Sequence, residues 1–247
     1  MEQKLFEIKE NRPLRPGIYS LRLEGDSSAI KCPGQFASLM IEGSFLRRPF
    51  SVCDWDEKGF TVVYKCVGEG TEKLRGVGEG EKIDALIGLG NGYNMEKSGD
   101  RPLLIGGGMG ATPLYCLCRA LIARGIKPTV LLGFSGEREE ILSKDFEALG
   151  AKVLVATVDG SMGHKGFVTE LMSGLDYTYF YTCGPEAMFK AINSVAVTDG
   201  EFSFEARMGC GFGACMGCTC QTHRGGKRIC KDGPVLERSE IIWQTQE

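Results

Sequence analysis

Four of the eleven cysteines in this 247-residue chain have the spacing of an iron–sulfur site. Cys210, Cys215 and Cys218 read C-x4-C-x2-C, and Cys230 follows after a short loop. This is the ligand order of a plant-type [2Fe–2S] cluster, in which four thiolates hold two irons. Because such a cluster carries single electrons, the spacing predicts a protein that transfers electrons.

The residues around these thiols also suit a cluster. Glycines between them allow tight turns and let backbone N–H groups approach the sulfurs, which helps to set the reduction potential. Four basic residues flank the site and could offset the negative charge of the thiolates: Arg207, Arg224, Lys227 and Arg228.

Zinc is the alternative occupant of four cysteines. A zinc ribbon usually contains two C-x2-C pairs, whereas one such pair occurs among these four thiols. Cys220 adds a neighbouring thiol that could replace one of the ligands. A zinc-binding or redox-sensing module therefore stays open as an interpretation beside the iron–sulfur cluster.

The composition is that of an ordinary globular protein, with 43% hydrophobic and 25% charged residues. The net charge of −3 gives no sign of nucleic-acid binding. No apolar run approaches the roughly 20 residues that span a bilayer, and we expect no membrane association. The first residues lack the apolar core of a signal peptide, so the many cysteines predict a reducing cytoplasm.

The chain divides into three parts. Residues 1–97 alternate as short strands between turn residues, which is typical of an antiparallel sandwich or barrel. Residues 98–205 alternate strands with helices, which predicts a doubly wound parallel sheet covered on both faces. Residues 206–247 form the cysteine segment. The predicted barrel strands are residues 18–23, 36–41, 50–53, 60–66 and 83–87. The predicted α/β elements are strands 103–105, 129–134, 152–157 and 177–182 and helices 112–124, 137–149, 167–173 and 185–197.

A glycine motif follows the first strand of the α/β region. Gly106, Gly107, Gly108 and Gly110, with Ala111 last, satisfy G-x-G-x-x-G/A and open a predicted helix. Such glycines let a pyrophosphate approach the free N–H groups at a helix N-terminus. The motif predicts a dinucleotide, although a glycine-rich turn without a ligand would look similar. Near the end of the second strand, Glu137 and Glu139 would suit the ribose hydroxyl of NAD, whereas Arg138 would suit the 2′-phosphate of NADP. The residues therefore leave the choice between NAD and NADP open.

A third group lies in the barrel-like region, at Arg47-Arg48-Pro49-Phe50-Ser51. An arginine fork and a hydroxyl at this spacing suit a diphosphate, although a surface arginine pair would look the same. The interpretation gains weight from Val63-Tyr64-Lys65 and Gly70-Thr71 downstream.

In their order, these motifs resemble the ferredoxin-NADP reductase superfamily, in which an FAD-binding β-barrel precedes a pyridine-nucleotide domain. The resemblance extends over essentially the full length. The motifs that carry it are Pro33-Gly34-Gln35-Phe36, Arg48–Ser51, Gly70-Thr71, Gly106–Pro113 and Cys183-Gly184-Pro185-Glu186. The added segment, ending Cys230-Lys231-Asp232-Gly233-Pro234-Val235, is similar to the family of electron-transfer subunits of NAD-dependent (class 1B) dihydroorotate dehydrogenases.

The resemblance implies a set of site residues. It implies FAD contacts from Arg48, Pro49, Phe50, Ser51, Val63, Tyr64, Lys65, Gly70 and Thr71. It implies NAD contacts from Gly106, Gly107, Gly108, Gly110, Cys183 and Gly184, and cluster ligands Cys210, Cys215, Cys218 and Cys230. Many relatives end in an aromatic residue that covers the flavin. This chain continues into the cysteine segment, so the residue that covers the flavin is not predicted.

The resemblance also implies a partner and a pathway. The partner would be a catalytic subunit that carries FMN and oxidises dihydroorotate, in a heterotetramer with two of each subunit. Electrons would pass from FMN through the [2Fe–2S] cluster and FAD to NAD⁺, in pyrimidine (UMP) biosynthesis, because a flavin can exchange both hydride and single electrons. The alternative is a subunit of another NAD(P)H:ferredoxin or sulfhydrogenase-type complex, which shares the same motifs.

Overall fold

The computed structural model describes residues 1–243 and forms, at its N-terminal end, a closed antiparallel barrel of six strands. The order is β1-β2-β5-β4-β3-β6, and the barrel closes because β1 pairs with both β2 and β6. Along β6, buried Ile83, Ala85 and Ile87 alternate with more exposed residues, as expected of a barrel wall. The barrel, rather than the sandwich, is therefore confirmed. The strands are β1 (Glu2–Arg15), β2 (Ile18–Glu24), β3 (Phe36–Met40), β4 (Arg48–Asp56), β5 (Gly59–Lys65) and β6 (Lys82–Leu89).

Two barrel elements were not predicted from the sequence. Strand β1 is rich in Glu and Lys, which are poor strand formers, and buries chiefly Phe6 and Ile8. Helix α1 (Glu69–Arg75) is too short to display a helical period. It is fixed by Thr71, whose hydroxyl accepts the N–H of Val67 at 2.9 Å and donates to the Gly68 carbonyl at 2.9 Å.

The following region is a doubly wound α/β domain, as predicted. Its sheet order is β10-β9-β8-β7-β11-β12, and these strands are parallel. The order reverses between β7 and β11, and open α/β sheets bind ligands at such a switch point. The strands are β7 (Pro102–Gly107), β8 (Thr129–Phe134), β9 (Lys152–Thr157), β10 (His164–Lys165), β11 (Tyr179–Cys183) and β12 (Gly200–Ser203). The helices are α2 (Ala111–Ala123), α3 (Ser143–Ala148), α4 (Val168–Met172) and α5 (Glu186–Val195).

The predicted helix over residues 137–149 is wrong in its first half. A short 3₁₀ turn occupies Glu137–Glu139, and Leu142 takes a left-handed φ of 67° just before α3. The side chain of Glu140 explains the break. Its carboxylate accepts the Ser143 N–H at 3.0 Å and pairs with Arg15 of the barrel at 2.6 Å, so this turn serves the contact between domains.

The cysteine segment contains little regular structure. It has a hairpin of β13 (Thr219–Thr222) and β14 (Gly225–Arg228), the four-residue helix α6 (Ile229–Asp232) and strand β15 (Val235–Glu237). Strand β15 joins the edge of the α/β sheet antiparallel to β12. It therefore crosses the division at residue 205 that we propose from the sequence.

Two observations complete the architecture. Helix α2 packs against barrel strand β4, where Arg119 pairs with Asp54 at 2.6 Å and lies over the Trp55 ring. Within residues 1–243, the helices are all too short or too polar to cross a bilayer.

Candidate functional site

A cavity of about 420 Å³ lies between the barrel and the α/β domain. We call it the flavin cavity, because eight of the nine residues predicted to contact FAD line it. These are Arg48, Pro49, Phe50, Ser51, Val63, Tyr64, Lys65 and Thr71. Strands β4 and β5 bring seven of them together, since the two strands pair antiparallel through Val52 and Val62, and helix α1 adds Thr71.

The ninth predicted residue, Gly70, does not line the cavity but packs against it. A methyl group at Gly70 would lie 2.7 Å from Nε of Arg48. A larger residue would therefore displace the guanidinium that the cavity needs. An arginine fork, two hydroxyls and the first turn of α1 are groups that bind a diphosphate, and Phe50 and Tyr64 supply apolar surface for a ring system. The residues present fit FAD.

Residues from the other two parts of the chain complete the cavity. Cys183 lies at the end of β11, and burial raises the pKa of its thiol to about 12, so the thiol stays protonated at neutral pH. Phe204 follows β12 directly, and Pro234 precedes β15. The sequence did not predict these contributions of Phe204 and Pro234, because their positions depend on how β15 joins the sheet. The further lining residues are Phe36, Val67, Met109, Thr112, Ser203, Glu205, Ala206 and Met208.

A second cavity, of about 530 Å³, lies on the α/β domain beyond the glycine motif. We call it the nucleotide cavity. Gly107 and Gly108 line it, together with Ser135, Glu139 and Phe167. Among residues 1–243, no lysine or arginine lines this cavity. Its apolar walls and its position beside the start of α2 fit a dinucleotide with an unphosphorylated ribose.

The other residues predicted to contact NAD lie behind the nucleotide cavity. A methyl group at Gly110 would collide with the carbonyl of Cys183, and one at Gly106 would lie 3.0 Å from the Ala111 Cα. A methyl group at Gly184 would lie 3.1 Å from the Gly107 nitrogen. These glycines therefore let the loops after β7 and β11 approach each other. Cys183 faces the flavin cavity instead.

An ion pair joins the two cavities. Nζ of Lys65, which lines the flavin cavity, lies 2.6 Å from Oε1 of Glu139, which lines the nucleotide cavity. The hydrogen bond from Lys65 holds the pKa of Glu139 below its usual value, so this carboxylate is charged at neutral pH.

The four predicted cluster thiols lie together as two pairs. Cys210 and Cys215 share a hydrogen bond, as do Cys218 and Cys230. Within residues 1–243, no three His, Cys, Asp or Glu side chains surround a common point as a single metal ion would require. Because each iron of a [2Fe–2S] cluster takes two protein ligands, two thiol pairs fit such a cluster.

Backbone N–H groups surround the sulfurs. Ala214 and Cys215 donate to Sγ of Cys210 at 3.2 and 3.4 Å, and Cys230 donates to Sγ of Cys218 at 3.4 Å. Although burial opposes it, donation from the N–H groups of Cys215 and Phe212 lowers the pKa of Cys210 to about 6. A thiolate is the ligand that iron requires, so the loop fits a cluster.

Three of the basic residues around the thiols form ion pairs within the cysteine segment. Arg224 and Lys227 both pair with the buried carboxylate of Glu240, at 3.0 and 2.7 Å. Arg228 pairs with Asp232 and donates to the Gly213 carbonyl at 3.0 Å. These three side chains therefore hold the segment together. The charge of Arg228 also interacts with Cys218 and Cys230, so the expectation that basic residues offset the charge of the cluster stays a prediction.

Comparison with known proteins identifies relatives of the whole chain. The iron–sulfur cluster binding domain of dihydroorotate dehydrogenase B matches residues 205–242. The chain is similar to the dihydroorotate dehydrogenase B (NAD(+)) electron transfer subunit of Bacillus mycoides (strain KBAB4), with 38% identity over 258 residues covering 98% of this chain and 99% of the relative. The corresponding subunit of Lysinibacillus sphaericus (strain C3-41) is 37% identical with the same coverage.

Solved structures are similar to the chain in fold. The NADH-dependent reduced ferredoxin-NADP oxidoreductase, studied for flavin-based electron bifurcation, superposes with a TM-score of 0.87 and 28% identity over 97% of this chain and 90% of that one. The ferredoxin reductase in carbazole 1,9a-dioxygenase superposes with a TM-score of 0.69 and 22% identity over 78% of this chain and 65% of that one, a likeness of fold.

Proposed function

The chain belongs to the family of electron-transfer subunits of dihydroorotate dehydrogenase B, and from this premise we propose how its residues act. We propose that the protein binds FAD in the flavin cavity, a [2Fe–2S] cluster on Cys210, Cys215, Cys218 and Cys230, and NAD(H) in the nucleotide cavity. When bound, the flavin exchanges hydride with the nicotinamide and single electrons with the cluster, which connects NAD⁺ to a partner subunit.

The observation that carries this proposal is the adjacency of the three sites. Pro234 lines the flavin cavity four residues after the cluster ligand Cys230. Cys183 lines the same cavity, and the next residue, Gly184, packs against Gly107 of the nucleotide cavity. Residues of the cysteine segment thus line the cavity on one side, and the residue before the nucleotide loop lines it on the other, which supports a carrier between two others.

The chain's own residues have separate tasks in this scheme. Arg48 and Thr71 would bind the flavin diphosphate, because they present a charged fork and a hydroxyl in the cavity. The Cys183 thiol is neutral and buried, so it would contact the reacting rings without competing as a nucleophile. Gly107 and Gly108 would admit the pyrophosphate at the start of α2.

We propose that the partner is an FMN-containing catalytic subunit that oxidises dihydroorotate, with two copies of each subunit. Its docking face would surround the thiols. Phe212 and Met216 of the thiol loop are 42% and 55% exposed, and Gly211 of this loop packs beside Ser38 of β3. The loop after β3 carries Phe45, which is 95% exposed. Exposed aromatic and methionine side chains are enriched at protein interfaces. We propose the reducing cytoplasm as the compartment, because a chain with eleven cysteines, four of them cluster ligands, needs its thiols reduced.

The test uses protein purified without oxygen together with its partner. Flavin and iron content are measured first, and then dihydroorotate-dependent reduction of NAD⁺. We expect Cys215→Ser to lose iron and this coupled reaction, while NADH oxidation by a two-electron acceptor persists. Cys220→Ser is the matched control, because Cys220 lies outside the two thiol pairs, and it should retain iron.

The contradicting result is an iron-free Cys215→Ser protein that still couples dihydroorotate to NAD⁺. The second candidate is a subunit of an NADH-dependent reduced ferredoxin-NADP oxidoreductase, which the TM-score of 0.87 favours. A co-purifying partner that binds no FMN or orotate and instead reacts with ferredoxin would favour that function.

A further inference from the structure

Asn91 joins the barrel to the cysteine segment by three short hydrogen bonds. It lies in the loop that follows β6, and its backbone N–H donates to the Gly233 carbonyl at 2.7 Å. Its side-chain Nδ2 donates to the Val235 carbonyl at 2.7 Å, and its Oδ1 accepts the Val235 N–H at 3.1 Å. The side chain therefore pairs with Val235 as the backbone of a neighbouring strand would.

The position requires a side-chain amide. Oδ1 also accepts the N–H of Gly92 at 2.7 Å, and Nδ2 also faces the carbonyl of Asp232 at 3.4 Å. One end of the side chain thus meets two donors and the other end meets two acceptors. Aspartate has the same shape but no donor, so it would set a negative oxygen against two carbonyls.

The preceding residue supports the same contact. Gly90 has a left-handed φ of 78°, and a methyl group on it would lie 2.5 Å from Cδ of Pro234 and 3.0 Å from the Gly233 carbonyl oxygen. The barrel loop and the cysteine segment therefore approach more closely than any side chain would allow.

The segment that Asn91 holds belongs to both redox sites. Cys230, a member of the second thiol pair, lies in α6, and this helix ends directly before Gly233. Pro234 lines the flavin cavity, and its carbonyl accepts the N–H of Phe204, another lining residue, at 2.9 Å. A shift of this segment would move a thiol pair and a wall of the cavity relative to the barrel.

We propose that Asn91 is a positioning residue that fixes the separation between the flavin cavity and the cluster thiols. This inference rests on the proposed function. Asn91 touches neither the cavity nor the thiols, and acts through Gly233 and Val235. Because transfer between two groups depends on their relative placement, loosening this joint slows the passage of single electrons while hydride exchange on the nucleotide side continues.

The test compares Asn91→Asp with Asn94→Asp in the holoprotein. Asn94 lies in the same loop, but its Oδ1 accepts the Glu96 N–H at a helical N-cap, a role that aspartate fills equally well. The control thus adds the same charge without losing a donated side-chain hydrogen bond within residues 1–243. After rapid mixing with NADH, bleaching of the flavin and bleaching of the iron–sulfur absorbance are followed separately.

In Asn91→Asp, we expect the iron–sulfur phase to slow by about ten- to a hundredfold, the range expected for a small misplacement of reacting groups, with the flavin phase unchanged. Asn94→Asp should resemble the wild type in both phases. Hydrogen exchange provides a readout that needs no electron transfer. The backbone amide of residue 91, which donates to the Gly233 carbonyl at 2.7 Å in the wild type, should exchange faster in Asn91→Asp, and that of residue 94 should not do so in Asn94→Asp.

Three results would overturn the assignment. Wild-type rates in Asn91→Asp would show that the joint does not set the separation. Loss of iron from Asn91→Asp would mean that Asn91 retains the cluster rather than positioning it. An iron–sulfur phase that is absent in the wild type would contradict the proposed function itself, which distinguishes the two failures.

A second variant covers the case in which Asn91→Asp does not fold. Gly90→Ala keeps every group of Asn91 but inserts a methyl group against Pro234. We expect the same slowing of the iron–sulfur phase alone, and equal slowing of both phases would count against the proposal.

Discussion

The α/β domain and the cysteine segment hold their sites by different means. In the α/β domain, the strands that lead to the nucleotide cavity have buried centres, as Leu104 of β7 and Leu131 of β8 illustrate. In the cysteine segment, residues 206–232 have a four-residue hairpin strand on each side of a turn and one short helix. The first site is built on a packed sheet, and the second on turns.

This difference determines where each site obtains its geometry. The glycine motif is placed by packing that exists before any ligand arrives. The thiol loop instead relies on left-handed residues, including Met216 at a φ of 61°, and on the Arg228–Asp232 pair. A non-glycine residue with positive φ is uncommon and costly. We therefore expect metal binding to contribute to the order of the cysteine segment but little to that of the sheet.

The largest expected effect tests the packing of the α/β domain. Phe180 of β11 is fully buried and lies 5.2 Å from the Phe202 ring. Phe180→Ala should lower the free energy of unfolding by about 3–5 kcal/mol, because it leaves a cavity in a packed core. Urea denaturation measures this change.

The control for packing is Phe167→Ala, since Phe167 is 62% exposed and should change stability by about 0.5 kcal/mol or less. The matched experiment on the other region removes iron with a chelator. It should release hydrogen-exchange protection in residues 206–232 and shift the global unfolding midpoint less than Phe180→Ala does. A larger shift on iron removal would erase the distinction between the two regions.

The next effect concerns the contact between β12 of the α/β domain and β15 of the cysteine segment. Glu201 of β12 lies opposite Glu237 of β15 and accepts the Asn94 N–H at 3.0 Å, with Lys97 nearby. Burial raises its pKa from 4.5 to about 7. The folded state then binds more protons than the unfolded state, so the stabilisation is complete below about pH 4.5 and is lost as the pH rises through 7.

The expected loss is roughly 3 kcal/mol between pH 4.5 and pH 8, from about 1.4 kcal/mol for each pKa unit. Glu201→Gln keeps an acceptor for the Asn94 N–H but cannot ionise, so it should flatten this dependence. Urea unfolding at pH 5 and pH 8 measures the slope for both proteins. Equal slopes would mean that the Glu201 carboxylate is not protonated in the folded protein.

The smallest expected effect concerns the preference of the nucleotide cavity for NADH over NADPH. An acidic residue after the second strand of such a domain binds the ribose hydroxyl and disfavours a 2′-phosphate. Glu139→Gln should therefore reduce the preference for NADH over NADPH, measured as the ratio of kcat/KM values, by about tenfold or 1.4 kcal/mol. Glu137→Gln is the control, because Glu137 lies in the same turn but outside the nucleotide cavity. An unchanged ratio in Glu139→Gln would remove Glu139 from nucleotide selection.

The sequence was most informative where local patterns decide structure. Strand alternation in β2 to β6 and the run of apolar residues in β7 and β8 follow directly from burial on one or both faces. The four thiols were recognisable because ligand spacing is local. The residues that line the flavin cavity from β4 and β5 followed from the resemblance of ordered motifs.

The rest depended on contacts between distant parts of the chain. The break before α3 comes from the pairing of Glu140 with Arg15, which are far apart in sequence. The place of Phe204 and Pro234 in the flavin cavity depends on the pairing of β15 with β12, and three residues are too few to display alternation. Ion pairs between distant residues and three-residue strands leave no local pattern in the sequence, so the sequence alone does not predict them.

The position of β15 has a consequence for biosynthesis. Strand β12 is synthesised before the four predicted cluster cysteines, and strand β15, which covers its outer edge, is synthesised after them. While the ribosome makes residues 204–234, the sheet exposes an unpaired edge, which is a site for mispairing with other chains. The nucleotide domain can therefore complete this edge of its sheet only after all four predicted cluster cysteines have been synthesised.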